Sequence, residues 1–337
     1  MTLELILRAM LGLLPVIVFL SALLWLDSYK LVGLRTVLAT ILAGTLIAGA
    51  CYGVNLVLLG ALPMDFGAYS RFVAPIVEET LKGLVLVYLV KQHRIGFPAD
   101  AAILGFSVGT GFAVIENLYY LAMFQDAHIA VWAVRGFGTA IMHGGVTAIF
   151  GILAHMLTEQ HQSQGPGEFL PGLLVAVLIH SLYNQFLFAP VYSTQGVILL
   201  LPPIIYLVFR RSEQTLQRWL AVDFDADTQL LELINSGALD GSRLGRHLEN
   251  IRQHFSGEVV ADMLCYLRLH VELSMRASAT LLMRESGIQQ EVDPEVRAMV
   301  EEMRFLEKSI GKPGQHAMKP FLRLSSRDLW QLYLLGK

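Results

Sequence analysis

Over residues 1–209 the apolar positions fall into long unbroken runs, with neither the alternation of a half-buried strand nor the narrow stripe of a surface helix. A helix needs about 18 or more apolar residues to cross a hydrocarbon layer of roughly 30 Å. Seven runs qualify, at 9–26, 37–59, 72–90, 101–124, 130–157, 169–189 and 191–209. Polar or turn-forming stretches divide them, among them Lys91-Gln92-His93-Arg94 with Pro98, and Gln164-Gly165-Pro166-Gly167. After residue 209 the pattern becomes that of amphipathic helices. Leu230, Leu231, Leu233 and Ile234 form one apolar stripe, and Val259, Val260, Met263, Leu264, Leu267 and Val271 predict a single long helix over 257–285. Asp293-Pro294-Glu295 has the proline expected at a first helical position. Ser325 and Asp328 resemble a capping box ahead of Leu329-Trp330-Gln331-Leu332-Tyr333. The expected fold is all-α: a polytopic membrane bundle of about seven spans in residues 1–209, and a soluble helical domain in 210–337.

Composition agrees and sharpens the division. The chain is 54% hydrophobic and 16% charged, against about 25% charged for ordinary soluble domains, and its mean hydropathy is +0.54. The first 209 residues hold 18 charged side chains and the last 128 hold 35, so lipid surrounds the first part and water the second. An ordinary soluble enzyme, a disordered chain and a disulfide scaffold are excluded. Met1–Arg8 carries one acid and one base, and no small-x-small cleavage pattern follows, so the first run reads as a span and not as a signal peptide. Lys30, Arg35, Lys91, Arg94, Arg210 and Arg211 fall on one side of the seven spans, and only Arg8 and Arg71 on the other. By the positive-inside rule, the N-terminus is expected outside and the C-terminal domain in the cytoplasm, the whole residing in the cell membrane. Cys51 lies in a span and Cys265 in the tail, so no disulfide is expected. Acid and base balance in the tail, 18 against 17, which makes no electrostatic case for nucleic acid. The tail reads as a regulatory or oligomerising module, and a homo-oligomer stays open.

A charge at mid-span costs about 2.5–3.5 kcal/mol on insertion scales, yet Glu78, Glu79, Lys82, Glu116, Arg135, His143 and His180 all lie within runs. On the expected topology, Glu78, Glu79, Glu116, His143 and His180 fall at overlapping depths in the outer half of four consecutive spans. That is the pattern of a site. Lys82 is four residues from Glu78 and three from Glu79, within reach of either. One acid can then stay ionised while the other becomes a general base. Glu116 has no basic partner on its own helix and looks to His143 or His180. Arg135, Thr139, His143 and Thr147 recur every four residues as one polar stripe, with Arg135 near enough to the span's end to snorkel. His180 and Asn184 share a face and suit an oxyanion-stabilising or metal-adjacent pair. Gly105, Gly109 and Gly111 are expected to let a neighbouring helix pack closely.

Taken in order, Glu78-Glu79-x-x-Lys82, Phe112-x-x-x-Glu116-Asn117, His143 and His180-x-x-x-Asn184, each on a successive span, resemble the PrsW intramembrane proteases. That family is similar to the wider superfamily of CAAX prenyl endopeptidases and Abi proteins. Glu116 stands where those relatives carry a histidine, the PrsW form. The resemblance covers roughly residues 30–210 and not the tail. It implies proteolysis of a membrane-embedded or juxtamembrane substrate, a single-span protein such as an anti-sigma factor. It also implies either a metal-dependent or a glutamate-dependent mechanism. No His-Glu-x-x-His helix is present, and Glu116, His143 and His180 are one option for holding a divalent metal such as zinc. The expected mechanism is hydrolysis by an activated water: Glu78 or Glu79 as base with Lys82 on the other, His180 and Asn184 at the oxyanion, His143 and Glu116 orienting the water or the metal. Two other classes compete, an ion- or proton-coupled transporter and a non-catalytic scaffold or receptor. The absence of internal repeats or broken helices in matching positions counts against the transporter.

Overall fold

The computed structural model describes residues 3–124, 126–185, 189–286, 288 and 294–322, with the side chains of 221–226 and 285 excepted. It contains helices and, among the described residues, no strand. In chain order these are α1 (Leu3–Leu26), α2 (Leu34–Ala61), α3 (Phe66–Phe72), α4 (Ala74–Lys91), α5 (Pro98–Met123), α6 (Ile129–His161), α7 (Pro166–Asn184), α8 (Pro190–Asn235), α9 (Arg243–Ile251), α10 (Gly257–Glu285) and α11 (Pro294–Met318). The chain divides into two compact units, Met1–Ser212 and Glu213–Lys337, so α8 contributes its first half to one and its last part to the other.

Six helices of the first unit, α1, α2, α5, α6, α7 and the Pro190–Leu220 part of α8, are long and apolar enough to cross a membrane. The run at 72–90 becomes α4, preceded by the short α3, and falls outside that set because Glu78, Glu79, Lys82 and Lys91 lie within its 18 residues. The bundle is inside-out by the standards of a soluble protein. Leu38, Leu42 and Leu46 of α2, and Leu170, Leu174 and Leu178 of α7, form exposed ridges one turn apart, a surface that suits lipid and not water. α5, by contrast, is buried without a break from Ala99 to Ala113.

Small residues make α5 the central helix. A Cβ on Gly109 would lie 2.4 Å from the His143 carbonyl oxygen, and one on Gly105 2.6 Å from that of Thr147, so α6 packs with its backbone against α5. Gly111 belongs to a different contact: its Cβ would lie 2.0 Å from the Ile41 oxygen of α2. The expected single small-residue face is therefore two faces, one for each neighbour. The hydroxyls of Ser107 and Thr110 are satisfied within α5, donating to the carbonyls of Ile103 (2.7 Å) and Phe106 (2.8 Å).

In α6 the backbone of Val134–Ala140 is π-helical. A π turn accommodates an extra residue, so the expected stripe of one residue in four from Arg135 to Thr147 does not run straight. Thr139 meets the Tyr183 hydroxyl at 3.3 Å, and Thr147 donates to the carbonyl of His143.

In the second unit the expected long helix over 257–285 is α10, and Pro294 opens α11. Met263, Leu267, Val271 and Leu273 pack with Leu244 and Leu248 of α9 and with Val296, Met303, Leu306 and Ile310 of α11. Leu230, Leu231, Leu233 and Ile234 close over this core from the end of α8. The capping box at Ser325 and Asp328 lies outside the described residues.

Two tests follow from packing and burial. A methyl group on Gly109 must push α6 away, so Gly109→Ala should destabilise the bundle by about 1–3 kcal/mol, while Gly49→Ala, with nothing within 4 Å of its Cβ, should be silent; thermal unfolding of both variants in detergent distinguishes them. In the second unit, His270 is buried and its Nε2 has no hydrogen-bond partner among the described residues. Burial holds its pKa down at about 4, from an ordinary 6.5. Below pH 6.5 the unfolded chain takes up a proton that the native state refuses, so stability is full above that pH and falls by about 3 kcal/mol towards pH 4. Protection of the α10 amides in the full chain, measured as exchange relative to the intrinsic rate at each pH, should fall over that window, and His270→Phe should remove the dependence.

Candidate active site

The four helices that carry the expected chemistry bring it to one end of the bundle. Glu78 and Glu79 lie near the start of α4, Glu116 near the end of α5, His143 just after the π turn of α6, and His180 near the end of α7. Alternating chain direction therefore aligns positions that the sequence separates by as much as 102 residues.

Lys82 occupies the middle. Its side chain has no exposure, and its Nζ donates to Glu79 Oε1 at 2.5 Å and to His143 Nδ1 at 3.2 Å. The Phe112 ring, its centroid 4.6 Å away, covers the ammonium. Glu79 Oε1 also accepts from His180 Nδ1 at 2.7 Å. The His143 and His180 rings meet edge to face, 4.8 Å apart. With Nδ1 accepting from Lys82, His143 carries its proton on Nε2 and donates it to Glu116 Oε2 at 3.1 Å. Glu116 is paired in turn with Arg135, whose Nη2 lies 3.2 Å from the same oxygen.

Two of the three carboxylates thus have a basic partner, Glu79 in Lys82 and Glu116 in Arg135. Among the described residues Glu78 has neither a Lys nor an Arg partner. Its Oε2 stands 3.9 Å from His180 Nε2, and Oε1 is 3.5 Å from the Asn55 amide nitrogen, itself steered by the Tyr69 hydroxyl, which donates to Asn55 Oδ1 at 2.8 Å. Glu78 is also partly exposed where Glu79 and Lys82 are closed off.

Several placements differ from expectation. Asn184 does not face the pocket beside His180; its Nδ2 donates to the backbone carbonyl of Ser70 at 3.0 Å and ties α3 to α7. Arg135 does not snorkel. It forms the ion pair with Glu116, donates from Nε to Asn117 Oδ1 at 2.8 Å and lies 3.6 Å from the Tyr120 ring centroid. Lipid offers a guanidinium no solvation, so an internal carboxylate, amide and ring replace the headgroup region. Asn55 and Tyr69 were not foreseen: an amide and a phenol on separate helices carry no spacing signal.

The donor set that fits a cation also differs. Glu78, His143 and His180 each offer one ligand atom, all within 4.8 Å of one another. Glu116, the acid expected from sequence, is not in that group, because its carboxylate is turned to Arg135. Two imidazoles and a carboxylate match a catalytic zinc set with one open position. His180, with Nδ1 held by Glu79 and Nε2 towards Glu78, already has the carboxylate–histidine arrangement that orients a metal ligand. His143 would have to exchange one of its two hydrogen bonds for coordination.

The family model described as PrsW family intramembrane metalloprotease matches residues 32–209, just over half of the chain and a range that contains the seven expected site residues. No curated protein and no solved structure matches it.

The buried ion pair generates a test. Removing one partner of a buried pair leaves the other charge uncompensated, at a cost of about 3–5 kcal/mol. Lys82→Met should therefore lower the unfolding temperature and the yield of folded protein sharply. Lys82→Met with Glu79→Gln should recover most of that loss without recovering activity.

Proposed function

Because the chain belongs to the PrsW family of intramembrane metalloproteases, we propose that it hydrolyses a peptide bond of a single-span membrane protein, through a water held at Glu78. The observation that carries this is the charge balance of the pocket. Lys82 and Arg135 are committed to Glu79 and Glu116, so Glu78 alone is left to take a proton or hold a cation. It faces the free Nε2 of His180, and a water between them would meet a base on one side and an imidazole on the other. Glu79 keeps His180 in the tautomer with its proton on Nδ1, and Lys82 keeps Glu79 ionised. A divalent cation bound by Glu78, His143 and His180 would polarise the scissile carbonyl and acidify its water. The side chains around it would then orient those ligands, withhold bulk water and accept the proton. Asn184 acts through Ser70, holding α3 beside the pocket, and not as an oxyanion donor.

The distribution of basic residues over the seven spans expected from the sequence and the family resemblance support an extracytoplasmic pocket and a cytoplasmic Glu213–Lys337 unit. An anti-sigma factor is the substrate class that the resemblance suggests.

The test is cleavage of a co-expressed single-span substrate, followed by the purified pair in detergent. Glu78→Gln should reduce cleavage by about 10³-fold with unchanged membrane abundance, and Glu79→Gln should reduce both. Loss of cleavage on chelation, reversed by zinc, identifies the metal route; full cleavage under chelation with an inactive Glu78→Gln identifies Glu78 as a direct base. Full cleavage by Glu78→Gln overturns the assignment.

A further inference from the structure

The polar chain through the pocket does not end at Glu116. Arg135, on the far side of that carboxylate, is braced by Asn117, and the Asn117 Nδ2 donates to the backbone carbonyl of Gly12 at 2.7 Å. Gly12 belongs to α1, which lies outside the residues that match the family. α1 touches the same region a second time, since a Cβ on Gly136 would lie 1.8 Å from the Leu11 carbonyl oxygen. Leu11 and Gly12 therefore seat the π turn and the amide that aims Arg135.

Helical phase explains why a π turn stands there. In a straight α-helix, residues eight apart, such as 135 and 143, point about 80° apart at roughly 100° per residue. One extra residue accommodated in a π turn takes up roughly 100° of that and brings the two within about 20°. Arg135 and His143 can then approach the same oxygen, and both do: Nη2 at 3.2 Å and Nε2 at 3.1 Å from Glu116 Oε2.

We propose that Arg135 is a positioning residue of this centre: set by the π turn and by the Gly12–Asn117 link to α1, it acts through Glu116 to fix the His143 ring, whose Nε2 proton that carboxylate accepts. Its guanidinium stays paired, fixes the carboxylate, and through it fixes the ring that Lys82 meets from the other side. The positioning part of this stands on geometry alone, and its consequence for catalysis rests on the proteolytic reading above.

The experiment uses the full chain in lipid nanodiscs, labelled with ¹⁵N-histidine, with His143→Asn to assign the His143 signals. Wild type and Arg135→Lys should show His143 protonated at Nε2 and slow to exchange. Arg135→Gln should shift the Nε2 signal and speed exchange of its proton, and Asn117→Ala, which keeps both charges, should do so in part. A His143 signal unchanged in both Arg135→Gln and Asn117→Ala overturns the proposal. In the cleavage assay Arg135→Gln should lower kcat about 10–100-fold, the range for losing a supporting partner of a ligand, with KM within twofold and Arg135→Lys restoring most of kcat. A proportional rise in KM with kcat intact overturns the catalytic part. A chain that cleaves no substrate while its His143 signal responds to Arg135→Gln refutes the proteolytic reading and upholds the positioning one.

Discussion

A single buried ammonium organises the polar centre. Lys82 has no exposure, in a bundle whose outside is hydrocarbon-facing, and is tolerable there only because Glu79 neutralises it, the His143 ring accepts from it and Phe112 covers it. Each of those contacts comes at a further cost that the next residue meets: Glu79 is shared with His180, His143 passes its other nitrogen to Glu116, and Glu116 needs Arg135. In a medium with no water to complete unsatisfied groups, such a chain must close or be opened by a ligand. Among the described residues, Glu78 is the carboxylate of this centre that no Lys or Arg neutralises, which is why the proposed chemistry is placed there.

Backbone contact makes that closure possible. Polar contacts of 2.7–3.2 Å between four helices require the helices to lie nearer than side chains normally permit. Gly105 and Gly109 provide this between α5 and α6, and Gly44 and Gly111 between α2 and α5. The cost is rigidity of composition along α5, where a methyl group has no room. The π turn of α6 is the complementary device, a local change of phase that turns Arg135 towards Glu116 without bending the rest of the helix away from its contacts.

Much of this was legible in the chain. Runs long enough to cross a bilayer, broken by turns, fix a helical membrane unit because no other open structure satisfies its backbone in lipid, and the rise in charge density after residue 209 marks a second unit. The candidate residues were legible for the same reason: acids and imidazoles inside apolar runs are costly, and Glu78, Glu79, Lys82, Glu116, His143 and His180 are the ones that meet in the structure. The boundary was less sharp, since α8 runs on to Asn235 and apolarity ends before the helix does. α4 is likewise a helix of the bundle whose own charges lower its apolarity below that of its neighbours.

What the sequence by itself determined, then, was the solvent of each part and the inventory of ionisable groups in the bundle, because transfer to lipid is a property of each residue and its near neighbours. Which carboxylate goes with which cation was decided only in three dimensions. Spacing allows Lys82 to reach Glu78 or Glu79, and the packing of α7 against α4 selects Glu79 by putting His180 on the same oxygen. Spacing makes Arg135 a terminal residue free to reach the headgroups, and a π turn seated against Leu11 and Gly12 makes it the partner of Glu116. Spacing pairs Asn184 with His180, and the carbonyl of Ser70 takes the amide instead. Hydrogen-bond and ion-pair partners on different helices depend on helix phase, tilt and separation together, and those quantities exist only once the bundle is packed.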